Sequence, residues 1–250
     1  AAPASAAPML SPLSPALLDD VQKKLAFANV VPFVRDQPVL SANPTTYEAA
    51  IEFVEFFLSV GDLQRAAAPT INLLGDRALF QDLSRTMDQR MLETVARAPH
   101  AREAPALSLN LNLETVVTPS FGTFLERIGA EKKIVVDVQA MDVFTNLPMY
   151  LDVQGALNGL KHAVLIDGLT ISTLRLLDVS QLKPDYVKVA YAPEMEVVGR
   201  GGVKVVQELV AAMGEGKVVL SRCESSSALS LGLKNGISLF QGRFLDSLKS

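Results

Sequence analysis

A single cysteine, Cys223, stands in 250 residues, so no disulfide can staple the chain, and a reducing compartment suits it. At a strand end it reads as a buried small hydrophobe rather than a nucleophile. Histidine is almost as scarce. His100 and His162 both fall away from the expected strand ends where chemistry gathers, which leaves a Cys–His or Ser–His nucleophile without a base. No apolar run approaches the ~20 residues that a membrane-crossing helix needs. No cluster of Lys and Arg is dense enough for nucleic acid, with 23 basic against 27 acidic residues and a net charge of -4. Gly199-Arg200-Gly201-Gly202 before a helix is neither a Walker loop nor GxGxxG, and it reads as a hinge or tight turn. An initiating Met and a leader pattern are also missing. The chain therefore reads as part of a longer, cytoplasmic protein, with any tether lying upstream.

What is present is apolar sequence. Hydrophobic residues make up 49%, enough for a sizeable core, and the length suits one large α/β barrel or two small domains. Residues 1–17, rich in Ala, Pro and Ser, read as a linker or fragment end. A single domain is expected over residues 18–250. Residues 25–34 read as a first strand, followed by a turn-rich loop to residue 46 and a strand at 47–52. Residues 61–98 read as helical, with Met87 and Met91 in the core and Asp82, Arg85, Asp88 and Arg90 on a solvated charged face. Further strands are expected at 106–111, 133–140, 163–166, 186–190, 217–220 and 237–240, most of them separated by helices. Eight such strands make an α/β, TIM-like (β/α)8 barrel with its chemistry at the C-terminal strand ends. Val135, Val164, Leu165, Val187, Val219 and Leu239 are expected inside it.

The most informative stretch is residues 162–191. Ala163-Val164-Leu165-Ile166 ends at Asp167-Gly168, and Leu174, Leu176, Leu177 and Val179 mark a helix-like segment. A polar corner with Pro184 then leads into Tyr186-Val187-Lys188-Val189-Ala190. This is a βαβ unit whose first strand is apolar without alternation, as in a parallel sheet buried on both faces. Asp167 and Lys188, at the strand ends, are the first place to look for a site.

The same stretch, LIDGLTISTLRLLDVSQLKPDYVKVA, resembles the DDFGTGxSSLxxLxxLxxDxxKID segment of EAL domains, the cyclic di-GMP phosphodiesterase and receptor family. Residues 218–224, VVLSRCE, resemble that family's VVAEGVE, and Gln241-Gly242-Arg243-Phe244 resembles its closing QGYxF. Residues 106–111 resemble LxVNLS, with Asn110 at the Asn. Residues 133–140 resemble LxLEITE, with Asp137 at the first Glu. Val31-Pro32-Phe33 stands for the Gln-Pro-Ile core. Glu48-Ala49-Ala50-Ile51-Glu52 resembles Glu-Ala-Leu-x-Arg, with Glu48 as the signature Glu and Glu52 replacing the Arg that holds a phosphate.

The resemblance implies an EAL-type barrel that has lost most of its acidic metal ligands. The family's oxygen cage maps to Glu48, Asn110, Ala140, Ile166 and Asp167, with Ala190 and Ser221 replacing two further acids. A shift of one residue moves Asp167 onto the first acid. Lys188 keeps the place of the lysine that assists the attacking water. With so few oxygen donors, no catalytic residue, metal or cofactor is expected, and Asp167 and Glu48 could instead pair with Lys188 as buried ions. The remnant ligand-binding set is Glu48, Asn110, Asp167, Lys188, Glu224, Gln241 and Arg243. The implied function is a catalytically inactive regulatory or protein-interaction module in bacterial signalling. Protein partners are expected, nucleic acid is not, and cyclic di-GMP should bind weakly or not at all. A non-hydrolysing cyclic di-GMP receptor is the alternative and an active phosphodiesterase a third reading. A homodimer is left open.

Overall fold

The computed structural model describes residues 10–43, 48–197 and 201–246. Eight strands close a barrel: β1 (Val34–Ala42), β2 (Ala49–Leu58), β3 (Leu107–Asn110), β4 (Ile134–Gln139), β5 (Ala163–Leu169), β6 (Tyr186–Ala190), β7 (Val218–Ser221) and β8 (Leu239–Phe240). The strands follow one another around the barrel in chain order, and β8 returns to β1. Strands β2 to β8 are parallel to their neighbours among themselves. β1 runs antiparallel to both β2 and β8. The barrel is therefore not a uniform (β/α)8 repeat, because its first unit is a β-hairpin.

Outside the barrel lie α1 (Pro15–Phe27), α2 (Val60–Ala67), α3 (Arg77–Val95), α4 (Pro119–Ile128), α5 (Leu147–Gly159), α6 (Gly202–Met213) and α7 (Ser226–Lys234). Their starts are written locally. The Ser14 hydroxyl accepts the Leu17 N–H with Pro15 at the first turn of α1, and the Asp76 carboxylate accepts the Leu79 N–H at the start of α3.

Two departures from the sequence reading come from the N-terminal third. Residues 25–34 are not a strand. They are the end of α1 and a 3-10 turn, and Leu25 serves a separate cluster, where Leu18, Val21 and Leu25 pack with Leu63, Leu73, Leu83 and Met87. Of the segment read as a loop, residues 35–46, residues 35–42 are instead most of β1. The ordered fold also starts before residue 18. Ser11-Pro12 pair with Ile71-Asn72, and Leu13 is buried. Residues 1–9 of the expected linker, Tyr47, Gly199 and Arg200 lie outside the described residues.

Successive side chains of a strand point to opposite faces, and this parity organises the molecule. The outward set, including Val136, Val138, Val164, Ile166, Val187 and Leu220, packs under the helices. The inward set begins with a plug of Val39, Phe53, Ala106, Val135, Ala163, Leu165, Tyr186, Val219 and Leu239. Every strand contributes to that plug, directly or through the residue beside it. The six residues expected inside are all buried. Val135, Leu165, Val219 and Leu239 fill the plug, while Val164 and Val187 face the helices.

Candidate functional site

Two residues further along the strands from the plug, the same parity brings a second inward layer toward the C-terminal ends. It consists of Glu55, Ser108, Asp137, Asp167, Lys188, Ser221 and Gln241, and all but Asp167 are buried. The chain thus changes from an apolar to a polar interior within one pleat. Burial of that much polarity requires partners.

Lys188 is at the centre. Its ammonium donates to Asp137 Oδ2 at 2.5 Å and to Glu55 Oε2 at 2.8 Å, and it lies 3.7 Å from Asp167 Oδ2. Gln241 Nε2 donates to the same Glu55 oxygen, and Asn110 Nδ2 donates to Glu55 Oε1 at 2.8 Å. Burial alone would drive the Lys188 ammonium to lose its proton, but the carboxyl groups of Asp137, Glu55 and Asp167 outweigh it and hold the lysine above its ordinary range. Burial also pushes Glu55 upward. Lys188, Gln241 and Asn110 reverse that and keep its carboxyl below the usual value. Asp137 goes the other way. Complete burial raises it well above an ordinary aspartate, with Lys188 opposing and Asp167 and Glu55 reinforcing the rise.

Asp167 reaches the layer through a local irregularity. The pairing of β5 with β6 shifts between Ile166 and Leu169, and Gly168 takes a φ of +78° there. A Cβ on Gly168 would lie 2.9 Å from Gln139 Oε1, so glycine is required both by the backbone and by the space. The Gly168 N–H donates to Asp167 Oδ1 at 2.6 Å.

Of the residues expected in the remnant site, Asn110, Asp167, Lys188 and Gln241 converge. Glu48 does not. It is exposed just before β2, where its carbonyl accepts the Asn43 N–H. Glu55 lies seven residues further on, roughly 23 Å away along an extended strand, and Glu55 supplies the carboxylate the site uses. Glu52 stands three residues before Glu55, where the pairing of β1 with β2 shifts register, and so precedes the plug residue Phe53. Glu224 and Arg243 form an exposed ion pair of 2.6 Å beyond the ends of β7 and β8. Ile166 points to the helices, Ala140 is buried at the start of a short helix (Ala140–Thr145), and the Ser221 hydroxyl donates to the Val189 carbonyl.

His100 stacks near Phe56, with ring centroids 5.3 Å apart, and His162 sits just before β5 at the opposite barrel end, where burial lowers its pKa. Cys223 is buried, its Sγ donates to the Leu220 carbonyl, and burial pushes its thiol up to about 12.

Asp88 overturns its reading as part of a solvated face. It is buried, and its Oδ2 accepts from the Asn112 N–H at 2.8 Å, from Asn112 Nδ2 at 2.7 Å and from Thr115 Oγ1 at 2.7 Å. These contacts tie α3 to the short helix Leu113–Val116. Burial, only partly countered by those donors, raises its pKa to about 6.

Metal-dependent phosphodiester hydrolysis needs several oxygen donors directed at a shared cation. Here the oxygens are directed at the Lys188 ammonium. Both Glu55 oxygens are taken by Lys188, Gln241 and Asn110, and Asp137 gives one of its two to Lys188. Among the described residues no three His, Cys, Asp or Glu side chains are grouped so as to hold a metal ion. The donors present do not fit a metal cage.

No protein-family model matches the chain, and no curated protein does. Solved structures do. The chain is similar to the Xanthomonas citri FimX EAL domain in complex with c-diGMP, at 13% identity over 91% of each chain with a TM-score of 0.61. It is similar to the EAL domain of FimX from Pseudomonas aeruginosa bound to c-di-GMP, at 16% identity over 90% of this chain and 93% of that one, TM-score 0.60. It also matches the Vibrio cholerae LapD S helix-GGDEF-EAL chain bound to c-di-GMP, at 16% identity and TM-score 0.63, covering 93% of this chain but 57% of LapD. The chain has the EAL-domain fold. No helix among the described residues is long and apolar enough to cross a membrane.

Proposed function

We propose that the chain is a non-hydrolysing EAL-type module of cyclic di-GMP signalling that acts through protein contacts. The observation that carries this reading is the position of Lys188. A fixed ammonium already neutralises the acids that a hydrolytic site would direct at metal ions. Without a metal to lower its pKa from about 16 toward 7, water is a poor nucleophile for a phosphodiester at neutral pH. A second reading, a receptor that binds the dinucleotide without cutting it, draws support from a cavity of about 520 Å³ beside the mouth and from the FimX domains of this fold solved with that ligand.

Titration of the whole chain with cyclic di-GMP, with and without Mg²⁺ and Mn²⁺, tests both. The expectation is no turnover and millimolar or absent binding. Micromolar binding without turnover favours the receptor. Metal-dependent turnover abolished by Glu55→Ala removes the proposal.

A further inference from the structure

The end of the barrel opposite the mouth carries charge of the other sign. A pocket of about 380 Å³ lies there, at the N-terminal ends of β4 to β7, lined by Lys133, Lys161, His162, Asp185, Tyr186 and Lys217. Lys133 and Lys217 stand two residues before the plug residues Val135 and Val219, so strand parity turns them toward the barrel axis, one pleat below the plug. Ladder hydrogen bonds fix their backbone. The Lys133 carbonyl accepts the Leu107 N–H at 3.1 Å, and the Lys217 carbonyl accepts the Val187 N–H at 2.9 Å. Lys161 is held at the turn before β5, where its N–H donates to the Asn158 carbonyl at 3.1 Å. Tyr186 is the buried member of the group. It is 8% exposed, its ring packs in the plug against Phe53, and its hydroxyl accepts from Lys133 Nζ at 3.1 Å. A phenol also has a proton to donate, and among the described residues no acceptor takes it.

The charges decide what such a pocket takes. Asp185 and Glu215 also line it, yet among the described residues neither pairs with one of the three lysines. Asp185 instead accepts the Val164 N–H at 2.8 Å on Oδ2. Burial lowers the pKa of His162, so its imidazole is neutral at pH 7 and the positive charge is that of the lysines. Three ammonium groups thus face two carboxylates, a local surplus in a chain whose net charge is -4. Ammonium groups around a hydroxyl donor on a buried stem match the needs of an oxyanion. We propose that the floor of the barrel binds a phosphate group, free or carried on a small molecule. The Tyr186 hydroxyl donates to one of its oxygens, and Lys133, Lys161 and Lys217 surround the others. The plug separates this site from the Lys188 layer, so it is independent of whatever the mouth binds.

Inorganic phosphate is the probe, with acetate at the same ionic strength as the control for charge alone. Each is titrated into the whole chain at pH 7 and followed by amide NMR and calorimetry. Saturable phosphate binding is expected, with amide shifts at Lys133, Tyr186 and Lys217 and none at Gly168 in the mouth. Lys133→Met and Lys217→Met alter exposed residues, and each should weaken binding about tenfold by removing one charge-assisted contact. Tyr186→Phe keeps the plug filled and should also weaken it. Lys24→Met, on the exposed side of α1, should leave it unchanged. Phenyl phosphate binding at least as tightly as phosphate assigns the site to an esterified group, and weaker binding assigns it to the free ion. No saturable phosphate binding overturns the proposal. Acetate binding as tightly, shifts confined to the mouth, or binding unchanged in both lysine variants overturns it as well. Cyclic di-GMP titrated separately bears only on the function proposed above.

Discussion

Lys188 and Asp137 meet inside the barrel from β6 and β4, Nζ 2.5 Å from Oδ2, with side chains 3% and 0% exposed. One cation so placed serves Glu55 and Asp167 as well. Removing it leaves its partners charged and unpaired out of water. Lys188→Met should therefore cost about 3–5 kcal/mol at neutral pH. The loss should shrink in acid, where the stranded carboxyls can take up protons. Urea denaturation at pH 7 and pH 4 checks both the size and its direction.

Glu55 and Glu48 separate cleanly by the same measurement. Glu55→Ala takes from Lys188 one of its two hydrogen-bonded carboxylates and leaves the Asn110 and Gln241 amides without their acceptor, and should cost about 1–3 kcal/mol, whereas Glu48→Ala, on the exposed approach to β2, should stay within about 0.5 kcal/mol. Equal effects would return Glu48 to the site.

Asp88 sets a pH dependence of its own. Its folded pKa of about 6 stands above the ordinary 3.8, so the folded state holds this proton more tightly than the unfolded chain does. The stabilisation is complete below the unfolded value and is lost as pH rises through about 6, a change of roughly 3 kcal/mol. Asp88→Asn keeps an acceptor for Asn112 and Thr115 but cannot titrate. The difference in stability between wild type and variant should therefore shift in the variant's favour between pH 4 and pH 6, then level off. A constant difference across that range would refute the assignment.

Gly232, in α7, touches the last strand. A Cβ there would sit 2.3 Å from Cε1 of Phe240. Gly232→Ala should destabilise by about 1–3 kcal/mol through overpacking, despite the better helix propensity of alanine. Thermal unfolding of the pair decides, and a neutral or stabilised variant would show that Phe240 moves aside.

Strands β3 to β8 were legible because their residues are apolar on both faces, a pattern that few other structures need. The front of the barrel was not. Residues 25–34 are as apolar as a strand because Leu25 and Val30 bury outside the barrel. Near its start β1 carries Arg35, Asp36 and Gln37 and so looked like a loop. Val31-Pro32-Phe33 is a 3-10 turn rather than a strand core, and Glu48, taken with it, lies upstream of Glu55. Parity held the remedy: Phe53 and Glu55 share one face of β2, directed like Ser108 on the neighbouring strand, while Glu48 precedes the strand altogether. The leucines of residues 174–179 misled in a different way. The Asp178 carboxylate binds Ser180 and Gln181 and starts a 3-10 turn, so the helix read there amounts to Ile171–Leu174, and Leu176 is exposed. Lys188, singled out from its motif, lies at the centre of the polar layer. Asp88 was missed because its sequence neighbours are charged and its burial depends on Asn112 and Thr115, from another element.

Closure of the barrel rests on β8, only Leu239-Phe240, which pairs with β7 on one side and with β1 on the other. Leu40 therefore waits for Phe240, a partner from the far end of the described chain. Contacts so distant in sequence slow the search for the native state. Until those two residues arrive, β1 and β7 remain open sheet edges with unpaired backbone groups, the kind of template on which chains aggregate. A chain emerging from the ribosome passes through that state every time it is made, so its vulnerable period lasts until Leu239 and Phe240 have emerged.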